Sequence, residues 1–141
     1  MPKYIIDASV VLKWFVGEND EGFEPAREIF QKLKDGELVL FAPIFLLTEF
    51  ANVIYWKQKF LSEDVDTVLG KLINSGINFA YCPAKNIVDV FKLMVEYRLS
   101  AYDSLYLWLA KDRRLKLISC DKKLLAVKEN EIGRASCRER V

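Results

Sequence analysis

The stretch "YIIDASVVLKWF", Tyr4 to Phe15, decides the fold. Tyr4, Ile5 and Ile6 suit a strand and do not alternate with polar residues, the pattern of a strand covered on both faces. Asp7 follows at once, and "ASVVLKWFV" from Ala8 to Val16 reads as a short helix. In a parallel α/β sheet, ligands bind beyond the carboxyl ends of the strands. Asp7 therefore has two readings. It caps the helix behind it, or it is a functional group delivered to the edge of the sheet.

The rest of the chain extends this unit. "FEPAREIFQKLKDG" is an amphipathic helix with Ala26, Ile29, Phe30 and Leu33 at helical spacing, stopped by Asp35-Gly36. Leu38 to Ala42 is a second buried strand. A helix from about Ile44 to Lys59 is apolar nearly all round, which predicts burial. "LSEDVDTVLGKLINSG" is a further helix with Ser62 as the expected N-cap. "INFAYC" is a third strand. "AKNIVDVFKLMVEYRL" is a helix whose expected buried stripe is Ile87, Val90, Phe91 and Met94. The helix "SAYDSLYLWLAKDRR", the strand "LKLIS" and the helix "DKKLLAVKE" follow. This alternation argues for an α/β sandwich with a largely parallel central sheet.

Length and composition narrow the classes. A chain of 141 residues, 52% hydrophobic, suits one domain with a real core. No apolar run is long enough for a transmembrane helix, and "MPKYIID" lacks the apolar stretch of a signal peptide, so a cytoplasmic location is expected. The residues "IGRASCRERV" at the end follow no period. The single domain is therefore expected over residues 1–132, with 133–141 as a vector-derived tail outside the fold. The formal charge of +1 includes Arg134, Arg138 and Arg140 of that tail, so the remainder is not basic. Nucleic-acid binding would need a local patch or a bound cation.

The chain has no histidine. That excludes Ser-His-Asp and Cys-His nucleophilic catalysis and His-ligated zinc. Cys82, Cys120 and Cys137 match no zinc spacing; Cys82 and Cys120 read as small core residues, without a disulfide framework. Catalysis, if present, rests mainly on carboxylates.

Four acids stand apart from the solvated majority. Asp7 and Asp121 each end a buried strand, where each also suits an N-cap. Glu49 lies on the apolar helix after Pro43, in a narrow polar stripe with Thr48 and Asn52. A buried charge there needs water, a cation or polar partners. Asp103 begins a helix, and "SAYD" from Ser100 has the form of a capping box. If these four converge, their mutual repulsion raises some of their pKa values unless cations bind. An all-oxygen donor set favours Mg²⁺ or Mn²⁺. Two such ions can clamp an in-line displacement at phosphorus.

"IIDASVVLKWF", "PIFLLTEFANV", "LSAYDSLYLWLA" and "LISCDKKLL", taken in order over residues 3–128, resemble the PIN-domain family, in particular the VapC-type ribonucleases of toxin–antitoxin pairs. The resemblance implies a three-layer α/β/α sandwich with a mostly parallel central sheet. It implies a Mg²⁺- or Mn²⁺-dependent endoribonuclease that leaves a 5′-phosphate and a 3′-hydroxyl, commonly a homodimer inhibited by a cognate antitoxin. Carried over by position, Asp7, Glu49, Asp103 and Asp121 are the catalytic, metal-holding acids. Ser9 and Ser119 are polar neighbours of the site, and Asn52 supports Glu49. Two features depart from the pattern: Cys120 precedes Asp121, and no clear strand follows Glu129.

Lys13, Lys57, Lys59, Arg98, Lys122 and Lys123 are candidates to face phosphates, and Trp14 or Tyr102 to stack on bases. Phe45, Phe50, Ile54 and Tyr55 cannot all face one core, so part of that helix is expected to meet a second copy or an antitoxin helix. Two rival functions use the same fold class. An aspartyl-phosphate module, receiver-like or dehalogenase-like, also places an Asp at a strand end, but "DAS" lacks the expected D-x-D. A PIN fold that binds RNA or a partner without cutting is the other.

Overall fold

The computed structural model describes residues 1–16, 23–57, 61 and 63–127, and the backbone of 134–136. The strands are β1 (Lys3–Ile6), β2 (Val39–Pro43), β3 (Asn78–Ala80), β4 (Lys116–Ser119) and β5 (Arg134–Ser136). The helices are α1 (Ala8–Val16), α2 (Phe23–Lys34), α3 (Phe45–Lys57), α4 (Val65–Ile73), α5 (Ile87–Tyr97), α6 (Ala101–Arg113) and α7 (Lys122–Leu125).

All strand pairs are parallel, in the order β3-β2-β1-β4-β5. The first strand in sequence is thus the middle strand in space. Ile5 lies opposite Phe41 of β2 and Leu117 of β4. Ile5, Ile6, Leu40, Leu117 and Ile118 are fully buried, which is why these segments are apolar without alternation. Each such side chain stabilises the fold by roughly 1.5–3 kcal/mol.

The winding reverses at β1. From β1 the chain moves outward to β2 and β3, then crosses back to place β4 on the other side of β1. Right-handed crossovers in opposite directions put helices on opposite faces. Accordingly α1 packs on α2 and α3, and α3 on α4 and β2. On the other face α6 lies between α5 and strands β1, β2 and β4. The molecule is an α/β/α sandwich.

Several local expectations change. The N-cap of α4 is Asp64, whose carboxylate accepts the Thr67 N–H at 2.8 Å; Ser62 lies outside the described residues, as do Lys59 and the loop 17–22. Gly36, at φ 71°, ends α2 in the left-handed region. In α5 the buried residues are Val90 and Leu93, while Ile87 and Phe91 are exposed. Helix α5 packs on α6 along one edge only, and the 87/91 row turns away from it. Residues 134–136, where no strand was expected, pair in parallel with β4 from Leu117 to Ser119. Cys82 and Cys120 pack only partly buried against the core.

Candidate active site

The reversal at β1 creates a crevice at the carboxyl ends of β1 and β4, the position where open α/β sheets bind ligands. Asp7 follows β1 and Asp121 lies just beyond β4, so the pairing of these two strands brings together carboxylates 114 positions apart in the chain. Asp7 also caps α1: its Oδ1 accepts the N–H groups of Ser9 at 3.0 Å and Val10 at 3.4 Å. Asp121 caps α7 through the Lys123 N–H at 2.8 Å. The capping and site readings coincide.

Two serines lock these ends to each other. Ser9 Oγ donates to Asp7 Oδ1 and accepts the Cys120 N–H at 3.0 Å. Ser119 Oγ donates to Asp7 Oδ2 and accepts the Asp121 N–H at 2.9 Å. Each hydroxyl thereby bridges the Asp7 carboxylate and the backbone that carries Asp121. Asp7 is 3% exposed and Ser119 fully buried. Burial pushes the Asp7 carboxyl up to about 7, against the hydrogen bonds from Ser119, Ser9 and Val10 and with help from the charge of Asp121.

The other two acids arrive on helices. Glu49, on α3, is half-buried, and its Oε1 accepts the Tyr106 hydroxyl of α6 at 2.9 Å. Burial raises its carboxyl most; the Tyr106 bond opposes this, and the charges of Asp103 and Asp121 add to it. Asp103 sits in the first turn of α6, whose N-cap Ser100 accepts the Asp103 N–H at 3.1 Å. Its carboxyl is raised by burial and then by Asp121, with Lys123 pulling the other way. The charge of Asp121 thus acts on all three other acids. The four sequence candidates are thus linked electrostatically through Asp121.

Tyr106 was not singled out in the sequence. It is almost fully buried, and burial, with Glu49 and Asp7 nearby, holds its hydroxyl far above the usual phenol range, so it stays a donor. In "DSLYLWLA" it looks like one more core aromatic; its partner Glu49 lies 57 positions away. Asn52, expected beside Glu49, is exposed, and the bond that holds Glu49 comes from Tyr106 instead. Trp14 stacks on Phe30 and donates its indole N–H to the Ala26 carbonyl at 2.8 Å, so it joins α1 to α2. Trp108 is core, whereas Tyr102, next to Asp103, is 55% exposed.

The donor types, carboxylate and hydroxyl oxygens, suit a hard divalent cation. Among the described residues, no three acidic, cysteine or histidine side chains stand close enough to hold one ion as they are. Both oxygens of Asp7 are taken by hydroxyl donors. A cation would compete at Asp7 with those bonds and, near neutral pH, with a proton.

Among solved structures, PAE2754 from Pyrobaculum aerophilum superposes with a TM-score of 0.66 at 21% identity, covering 96% of this chain and 90% of its own. A toxin–antitoxin complex from Klebsiella pneumoniae gives 0.61 at 16% identity, covering 98% and 99%. VapC20 of Mycobacterium tuberculosis, a toxin that cleaves the sarcin–ricin loop, gives 0.69 at 11% identity, covering 92% and 98%. At these identities the likeness is one of fold. No curated protein matches the sequence significantly. The family model described as the PIN domain matches residues 4–130, nearly the whole chain, and the protein belongs to the PIN-domain family.

Proposed function

We propose that this chain is a Mg²⁺- or Mn²⁺-dependent endoribonuclease, the toxin of a toxin–antitoxin pair. What supports the reading is the electrostatic link of Asp7, Glu49 and Asp103 to Asp121 near the β1/β4 crevice, each of the first three raised by burial and by neighbouring acid. Asp7, Asp103 and Asp121 would hold the ion, with Glu49 completing the set. A divalent ion bound there supplies Lewis acidity and a more acidic water.

The chain's own residues do the rest. Ser9 and Ser119 orient Asp7, and Tyr106 fixes one oxygen of Glu49. A neighbouring carboxylate such as Glu49 would accept the proton, a role no histidine can fill here. Lys123, whose charge reaches Asp103, and Lys122 beside it are exposed next to Asp121 and suit a phosphate.

The fold likeness to a toxin–antitoxin complex and to a VapC toxin supports the toxin role. Tyr55 and Trp56 on α3, exposed by 62% and 72%, are apolar surface for a second copy or an antitoxin helix. Light scattering checks the homodimer: a monomer at high concentration counts against it. Among the described residues no helix is long and apolar enough to cross a membrane.

The decisive assay is cleavage of RNA with Mg²⁺ or Mn²⁺ by wild type and Asp7→Asn. Equal, metal-independent behaviour of the two would overturn the nuclease reading. It would favour the binding-module alternative, which draws on the absence of a preset ligand trio among the described residues.

A further inference from the structure

Helices α3 and α6 meet in two rungs. In one, Tyr106 donates to Glu49. In the other, four residues earlier on each helix, Phe45 and Tyr102 stack with ring centroids 4.6 Å apart and planes 4° from parallel. Residues four apart share a helix face, about one 5.4 Å turn along the axis. The aromatic pair therefore lies about one turn from the Glu49–Tyr106 rung, and Tyr102 is the residue before Asp103. Helix α3 begins where β2 ends, and α6 begins at the same edge because it leads back to the start of β4.

Packing accounts for Phe45, which is partly buried, but not for Tyr102. One face of the Tyr102 ring rests on Phe45 while more than half of the residue is open to solvent. Tyr102 lies flat on Phe45 and directly precedes Asp103, one of the four acids. Carboxylates repel a phosphate backbone wherever no cation offsets them, so a grip that does not depend on charge adds to those of a bound ion and of Lys122 and Lys123. Stacking on an aromatic ring is that grip, and every unpaired base has a face to offer. Trp14, the other aromatic considered, is occupied by Phe30 and Ala26.

We propose that Tyr102, backed by Phe45, is a stacking platform for one unpaired base of the RNA next to the cleaved phosphate. The inference rests on the nuclease reading and adds a positioning residue for single-stranded substrate to it.

The experiment compares steady-state cleavage by wild type, Tyr102→Ala and Tyr102→Leu. The substrates are a single-stranded RNA and versions with one abasic nucleotide scanned across the cut. Tyr102→Ala and Tyr102→Leu raise KM on the intact RNA by about tenfold, the effect of losing one stacked base, with kcat little changed. Tyr102→Phe, which keeps the ring, recovers most of the loss. At one abasic position wild type loses the same factor and Tyr102→Ala loses nothing further. An unchanged KM overturns the platform, as does an equal loss on intact and abasic RNA at every position. A second readout does not need cleavage: RNA carrying 2-aminopurine at that position, bound in chelator, loses fluorescence with wild type and not with Tyr102→Leu. If wild type cuts no RNA, the nuclease reading fails, and the 2-aminopurine signal alone decides the platform, which falls if there is no quenching.

Discussion

The two halves of the site are built differently. Asp7 and Asp121 stand on strand ends that are hydrogen-bonded neighbours in the sheet, and Ser9 and Ser119 stitch them together. In that half Asp7 is closed to water, at 3% exposed, while Asp121 is partly open. Glu49 and Asp103 stand on helices from opposite faces of the sheet, half-open to solvent, with Tyr106 as the tether of Glu49. The strand half is part of the core, and its geometry is inseparable from folding. The helix half is held across the α3/α6 interface by the Tyr106–Glu49 bond and the Phe45–Tyr102 stack. Changes in the first should move stability and activity together, and changes in the second activity alone.

The largest effect is expected from Asp7→Asn. It keeps the shape and much of the hydrogen bonding but removes the central charge, and RNA cleavage should fall at least a hundredfold while circular dichroism shows the fold retained. Removing a ligand should exceed the 10–100-fold cost of losing a residue that merely supports one. Retained cleavage would mean that the strand half is structural only.

The pH dependence of stability probes the same burial. A carboxyl raised in the folded state, from an ordinary value near ~4 to about 7, binds more protons folded than unfolded across that window. The contribution of Asp7 to stability in chelator is therefore fully present below about pH 4 and is lost as pH rises through about 7, by an amount on the order of a few kcal/mol. Glu49 and Asp103, also raised, act in the same direction. Thermal unfolding from pH 4 to 8 checks this. Asp7→Asn should flatten most of the slope, and added Mg²⁺ or Mn²⁺ should restore stability most at the upper end.

Ser119→Ala comes next. It strips the partner from Asp7 Oδ2 and from the Asp121 N–H, both at the buried end of β4. Leaving such groups unpaired costs about 1–3 kcal/mol, which denaturant titration would register, with cleavage reduced as well. Tyr106→Phe sharpens the contrast and has the smallest expected effect on folding. It removes one hydroxyl from a half-open Glu49, so stability should change by less than about 1 kcal/mol, while activity falls about tenfold. A large loss of stability from Tyr106→Phe would erase the difference between the halves.

The same contrast explains what could be read in advance. Asp7 and Asp121 were legible because a strand end followed by a helix cap is written in adjacent residues. Asp103 was legible from "SAYD", and Glu49 because a lone acid on an apolar helix has to be explained. Tyr106 was not, since a tyrosine in an apolar helix looks like core until its partner is known. The exposed row of α5 is hidden from the sequence for a related reason. Ile87, Val90, Phe91 and Met94 satisfy a helical period, but a period says only that a face is apolar, not which edge a neighbour will cover.

By itself the sequence determined the α/β alternation, the parallel sheet, the absence of imidazole chemistry and the identity of four unusual acids. These follow from local periodicity, capping and composition, which act over a few residues. Only the tertiary structure decided that β1 lies at the centre of the sheet and that the winding reverses beside it. It also decided that Ser9 and Ser119 each serve both strand ends, that Tyr106 rather than Asn52 holds Glu49, and that Tyr102 rather than Trp14 keeps an open ring. Each of these depends on contacts between residues distant in the chain, made when apolar strands and helix faces are buried together.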